Sequence, residues 1–310
     1  MSKKTSPRAA SSVRIDTDQG ARHPSTGLVL CLLTATLFAV SILISKFVYQ
    51  HGVGPLFFGG VRAVFCIVIC GIYIAIRGGE WLMPKPSRRY LVLMSCVLLC
   101  VSFGYPTAMK YISAGLATLL FYLWPILVVI FTAIHKRKFP GVRRTIIFLA
   151  AFLGLALVFG PSVNNVRWEG IAAALTAAVG AGLFFMLIPK ITEHASSFTI
   201  NINTNILVGA ALFMGAYLSG EFQVPVDPVG WYALALAGIL YGVAMILIFY
   251  AVKLTDPVSA SILFNTEPLI VTILAAVLFA DVLEPLQYLG IIAVVGSVMF
   301  ASARTAKSGL

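Results

Sequence analysis

Charge is what this sequence has least of. Only 11% of its residues are Asp, Glu, Lys or Arg, and just 11 of 310 are acidic, whereas soluble domains carry about 25% charge. With 60% hydrophobic residues and a mean hydropathy of +0.97, the chain cannot hide its apolar surface in a water-soluble fold, and a bilayer becomes the expected solvent. Other absences narrow the chemistry. No P-loop pattern occurs, so ATP is not expected as the direct energy source. Neither HExxH nor GxSxG occurs, and the four histidines (His23, His51, His135, His194) fall in the N-terminal tail or at the ends of apolar runs. A hydrolase would lack a nucleophile with its base, and no enzyme is expected. Cys31, Cys66, Cys70, Cys96 and Cys100 all lie inside apolar runs; no loop carries a disulfide framework, and the expectation is five small apolar side chains without metal or cofactor.

What is there divides sharply. Residues 1–24, MSKKTSPRAASSVRIDTDQGARHP, have too little apolar surface to offset chain entropy, so a disordered cytoplasmic tail is expected. They precede a long span rather than a short apolar region with a cleavage site, which argues against a removable signal peptide. Windows of about 20 apolar residues then give ten candidate spans, near 26–47, 55–76, 89–109, 113–135, 144–161, 168–189, 197–219, 229–252, 257–280 and 285–303. The joining loops are too short to hold a soluble domain, and 305–310 form a second short tail.

Of the 22 Lys and Arg, all but Lys46, Arg62, Lys110 and Arg167 fall on the side that carries the N-terminus. The positive-inside rule makes that side cytoplasmic, and the even span count puts both termini there, in a multi-pass protein of the cell (inner or plasma) membrane. The same loops account for the net charge of +11 by facing anionic lipid, which leaves no reason to invoke nucleic acid.

The chain also repeats itself. AMKYISAGLATLLFYLWPILVVIFTAI at 108–134 aligns without a gap to AVKLTDPVSASILFNTEPLIVTILAAV at 251–277, matching Ala108, Lys110, Ala117, Phe121, Pro125, Val128, Ile130 and Ala133 to their counterparts. Lys46 with His51 echoes Lys190 with His194. The halves are then 25–162 and 163–304, five spans each. Because five is odd, the second half is expected to enter the membrane upside down, giving an all-α membrane protein of ten transmembrane helices in two inverted repeats, with a site near the midplane between them.

Three stretches carry a family resemblance: VGPLFFGGVRAVF around Arg62, LATLLFYLWPILVVIFTAI in span 4, and SASILFNTEPLIVTILAAVLFADVLEPLQYLGIIAVVGSVMFA across spans 9 and 10. In these, the ten-span region resembles the EamA branch of the drug/metabolite transporter superfamily. Span 4 departs from the family by ending in HKRKF, while span 9 keeps an acidic residue at Asp281. The resemblance implies export of small metabolites, amino acids or toxic compounds, often by exchange with protons. YLWP at 122–125 resembles the aromatic amino acid and paraquat exporter branch.

Glu267 lies about ten residues into span 9, roughly 15–17 Å along the helix and close to the midplane. An ionised carboxylate there is costly unless paired, protonated or wetted, and is a functional candidate by default. Pro268 beside it removes a backbone donor, and a kink would turn carbonyls toward a cavity. Arg62 is the other charge well inside a span. The two either serve proton or substrate, or pair across the bundle as a structural tie. The repeat places Trp124 opposite Glu267 and Tyr122 opposite Asn265, which suggests an aromatic wall from one half and polar groups from the other, suited to a cationic or amphipathic solute; ordinary core packing for Trp124 is the alternative. Ser102 and Tyr105 on span 3, and Asn205 with Asn201 on span 7, are further candidates, or bridges between helices.

The expected function is a secondary transporter exporting a small-molecule substrate, amino acids or related compounds, by alternating access, with proton coupling as one option and a monomer as the working unit. A facilitator or exchanger of phosphorylated metabolites or nucleotide sugars, and a multidrug exporter, stand as alternatives. A passive pore would be told apart by flux that neither saturates nor trans-stimulates.

Overall fold

A computed structural model describes residues 24–137, 141–160, 166–279 and 284–305. The tail expected over 1–24 falls outside these except for Pro24, as do 306–310 and Asp281. Among the described residues every regular element is helical. They are α1 (Pro24–Gln50), α2 (Pro55–Arg77), a single 3-10 turn (Lys85–Ser87), α3 (Arg88–Tyr111), α4 (Ala114–Phe121), α5 (Trp124–Lys136), α6 (Val142–Phe159), α7 (Trp168–Thr192), α8 (Ser197–Ser219), α9 (Pro228–Leu254), α10 (Pro257–Phe264), α11 (Thr266–Phe279) and α12 (Pro285–Thr305). Helix starts follow local chemistry. α1, α2, α9, α10 and α12 begin on a proline, whose missing N–H is no loss in a first turn. Asp227 accepts from the Gly230 N–H at 2.7 Å and Asp256 from Val258 and Ser259 at 3.0 Å, capping α9 and α10.

Eight helical stretches among the described residues are long and apolar enough to cross a membrane, with α4–α5 and α10–α11 each counting as one. Two further apolar helical stretches among the described residues are shorter, Thr145–Phe159 and Pro285–Phe300.

Spans 4 and 9 are each broken in the middle, span 9 beside the Pro268 at which a kink is expected. The cause is read off one spacing. Pro125 stands four residues after Phe121, where α4 ends, and Pro268 four residues after Phe264, where α10 ends. A proline has no N–H to offer the carbonyl four residues back, and its ring clashes with that carbonyl. Each span therefore stops at that residue and restarts as α5 or α11, at equivalent positions of the two repeats.

Packing repeats with the sequence. α1 packs on α9 as α7 packs on α3; α1 packs on α10 and α11 as α7 packs on α4 and α5; α2–α8 and α6–α12 are pairs that exchange into themselves. The loops agree. At one end the α1–α2 link meets the α8–α9 link through His51 Nε2–Asp227 Oδ2 at 3.3 Å and the Val226 N–H donating to the His51 carbonyl at 3.3 Å. At the other, the exchanged elements meet through Thr199 Oγ1 on the Glu80 carbonyl at 2.7 Å and Asn203 Nδ2 on the Trp81 carbonyl at 2.8 Å.

The self-paired α6–α12 seam has no room for side chains. A Cβ added to Gly154 would lie 2.8 Å from the Gly290 carbonyl oxygen, and one added to Gly290 would lie 2.5 Å from that of Gly154. Such backbone approach is how membrane helices gain contact area where burial from water cannot drive them together. Gly290→Leu should push the two helices apart and destabilise the fold by roughly 1–3 kcal/mol, the range for overpacking. Thermal unfolding of the purified protein in detergent checks this, and an unchanged midpoint would refute the packing argument.

One departure from symmetry stands out. α5 packs against α10, whereas their counterparts α4 and α11 make at most marginal contact. The halves are closed over each other at one end of the bundle and not at the other.

Candidate functional site: a carboxylate at a broken helix

The break in span 9 puts Glu267 in the first turn of α11. Free N–H groups and the positive end of the helix dipole sit there, the favourable place for a carboxylate. Glu267 is half-buried although it lies in the middle of the span. The first repeat supplies its neighbours. Tyr122, at the matching break of span 4 and 6% exposed, is within electrostatic reach of the Glu267 carboxylate. Tyr105 on α3 is also within electrostatic reach of Glu267, and its hydroxyl lies 2.8 Å from Thr118 Oγ1 on α4. Carboxylate from one half and phenols from the other make this a site shared between the repeats.

The remaining sequence candidates divide. Arg62 forms no ion pair with Glu267; its guanidinium carbon sits 4.5 Å from the ring centre of Phe58 and 4.6 Å from that of Tyr241. The cross-bundle tie that the sequence allows is therefore not made in this structure. Trp124 is in the core: 4% exposed, it stacks on Phe185 of α7 at 4.4 Å and 27°. Asn265 is buried at the end of α10, where its N–H closes the last turn onto the Ile262 carbonyl at 3.1 Å. Asn205 is 1% exposed and sits in the α2–α8 seam, its amide donating to Cys66 Sγ at 3.5 Å and to the Asn201 carbonyl at 2.9 Å. Asn201 in turn bridges to the Met245 carbonyl of α9 at 3.1 Å. Both asparagines join helices here, away from the contacts of Glu267. Ser102 is half-buried one turn before Tyr105 on α3.

Aromatic residues that the sequence reading passed over connect these parts. Trp124 stacks on Phe185, Phe185 meets Phe264 edge-on at 5.3 Å, Phe264 lies 6.5 Å from Phe38, and Phe38 meets Tyr241 at 6.0 Å. Tyr241 then carries Arg62 on its face. These rings come from α5 and α1 in one half and α7, α10 and α9 in the other, so the layer spans the interface. It includes the α5–α10 junction, where the bundle is closed. Phe264 had a legible signal, the proline four residues later; Phe185 and Tyr241 had none. Among the described residues no group of three or more His, Cys, Asp or Glu is placed to hold a metal, and the five cysteines are free.

Comparison with known proteins agrees with this architecture. The family model described as "EamA-like transporter family" matches twice, over residues 25–160 and 168–303. The protein PagO of Salmonella typhimurium is 24% identical over 70% of this chain and 73% of its own length. GDP-fucose transporter 1 of Dictyostelium discoideum is 22% identical over 84% and 74%, and an uncharacterized transporter of Clostridium kluyveri is 23% identical over 92% and 96%. A crystal structure superposes with a TM-score of 0.78 at 19% identity, covering 91% of this chain and 98% of that one, a likeness of fold. With both repeats matched across nearly the whole described chain, this protein belongs to the EamA-like transporter family.

Proposed function

We propose that the chain is a secondary transporter that exports small metabolites, amino acids or related amphipathic compounds, by alternating access between two inverted five-span repeats. One observation carries the reading: a half-buried carboxylate at a broken helix, facing the phenols of the opposite repeat, beside an interface closed at one end only. α6 and α12 complete ten spans, short apolar helices being accommodated by local thinning of the bilayer and snorkelling of flanking residues. The Lys and Arg distribution orients the closed α5–α10 end toward the cytoplasm. The conformer described here is then open outward, with the aromatic layer as its cytoplasmic barrier.

The GDP-fucose transporter among the relatives raises a nucleotide-sugar substrate as a second reading. A diphosphate calls for several clustered cations, and Arg62 is the one cation at comparable depth among the described residues. The amino-acid reading is therefore preferred. Uptake of labelled amino acids into proteoliposomes, with and without an imposed pH gradient, is the test. Saturable flux driven by the gradient supports a proton-coupled exporter. Saturable flux indifferent to it supports a facilitator, and no amino-acid flux under either condition overturns the substrate class.

A further inference from the structure

Arg62 is placed as a binding group rather than as a fastener. Its guanidinium is flanked by two ring faces, those of Phe58 on its own helix and Tyr241 on α9. Ring faces attract the cation but accept none of its N–H bonds in the guanidinium plane. The edges of the guanidinium are thus left over, and Nε, buried, has no hydrogen-bond partner among the described residues. A buried guanidinium donor without an acceptor is costly and uncommon. Arg62 nevertheless remains half-buried rather than sealed, so a solute can approach it. Among the described residues no Asp or Glu forms an ion pair with it.

The surroundings fix what kind of acceptor fits. Nε and its neighbouring Nη form a planar fork that matches two oxygens of a carboxylate, an arrangement a lysine cannot offer. Tyr49 lies within electrostatic reach of Arg62, and Tyr105 within reach of both Tyr49 and Glu267. Phenols of the first repeat therefore lie in the field of both charged groups. A phosphate dianion here would face one cation and one carboxylate; a monoanionic carboxylate, on a solute with a cationic or neutral remainder, balances the same pair.

We propose that Arg62 binds the carboxylate of the transported solute side-on through Nε and Nη, with Glu267 left for the proton or for the solute's cationic part. The inference rests on the transport reading for its physiological meaning, but binding at Arg62 is measurable without transport.

The experiment uses the purified full chain and thermal-shift titration with matched probes: phenylalanine and phenylalaninamide, lysine and lysinamide, and inorganic phosphate. The free carboxylates are expected to stabilise the protein and the amides not to. Arg62→Lys should weaken carboxylate binding roughly 10- to 100-fold while leaving the unliganded melting temperature near that of the wild type. Arg62→Ala serves as the second variant and should abolish the discrimination. Amide and carboxylate acting alike, or Arg62→Lys binding carboxylates as well as the wild type, overturns the proposal. Phosphate alone stabilising the protein would overturn the carboxylate assignment. A wild-type protein unmoved by every carboxylate would sink the inference even if gradient-driven flux of some other solute upheld the transport reading; carboxylate binding without any flux would sink only the latter.

Discussion

Glu267→Gln abolishes gradient-driven flux and leaves the protein folded: this is the largest effect expected of any single substitution. Glutamine keeps the size of the side chain and its ability to accept a hydrogen bond, so packing at the start of α11 is preserved. It cannot bind and release a proton. If proton movement passes through this carboxylate, flux driven by a pH gradient should fall by on the order of 100-fold or more, the range seen when a proton-transfer group is lost. Exchange of labelled for unlabelled solute, which needs no net proton movement, should persist. Loss of both activities at unchanged melting temperature would mean instead that Glu267 contacts the solute. Undiminished coupled flux would remove it from the mechanism.

The second large effect is expected at Phe185. Its ring is 4% exposed and holds together Trp124 of α5 and Phe264 of α10, the two helices through which the bundle is closed. Phe185→Ala removes the middle of that layer. Truncating a buried phenylalanine typically costs about 3–5 kcal/mol, so a clear fall in melting temperature is expected. A second consequence separates this site from ordinary core: proteoliposomes should gain a non-saturable leak, because the gap opens between the halves. Phe185→Leu keeps most of the apolar volume and should restore stability more fully than it restores the seal. Equal recovery of both would reduce the layer to simple packing.

The sequence was most informative where a feature acts through the backbone. Hydropathy located nearly every helix, since only a hydrogen-bonded helix satisfies its polar groups in a bilayer. Pro125 and Pro268 align in the gapless match of 108–134 to 251–277, and each interrupts the helix ladder wherever the surrounding fold places it. What the sequence conveyed poorly was direction around the helix axis. Trp124 and Glu267 occupy equivalent chain positions, yet one stacks into α7 and the other lies within electrostatic reach of Tyr122 and Tyr105. Asn205 is polar and deep in its span, but depth does not say whether it faces a cavity or the α2 seam, and it faces the seam. Arg62 and Glu267 share a plausible depth while their side chains keep different company. Phe185 and Tyr241 sit in runs so uniformly apolar that an aromatic ring leaves no periodic trace.

The glycine seam between α6 and α12 carries one more consequence, best put in terms of invariance. An operation that swaps the repeats turns the α5–α10 contact into an α4–α11 contact, but it carries α6–α12 onto itself, and α2–α8 likewise. If the two halves trade roles during a transport cycle, a contact that is its own image must look the same before and after. These two seams are the fixed points of the cycle. Evolution is then free to weld them, and at Gly154 and Gly290 it has brought two backbones into direct contact. The closing contacts are held only by side chains that can let go.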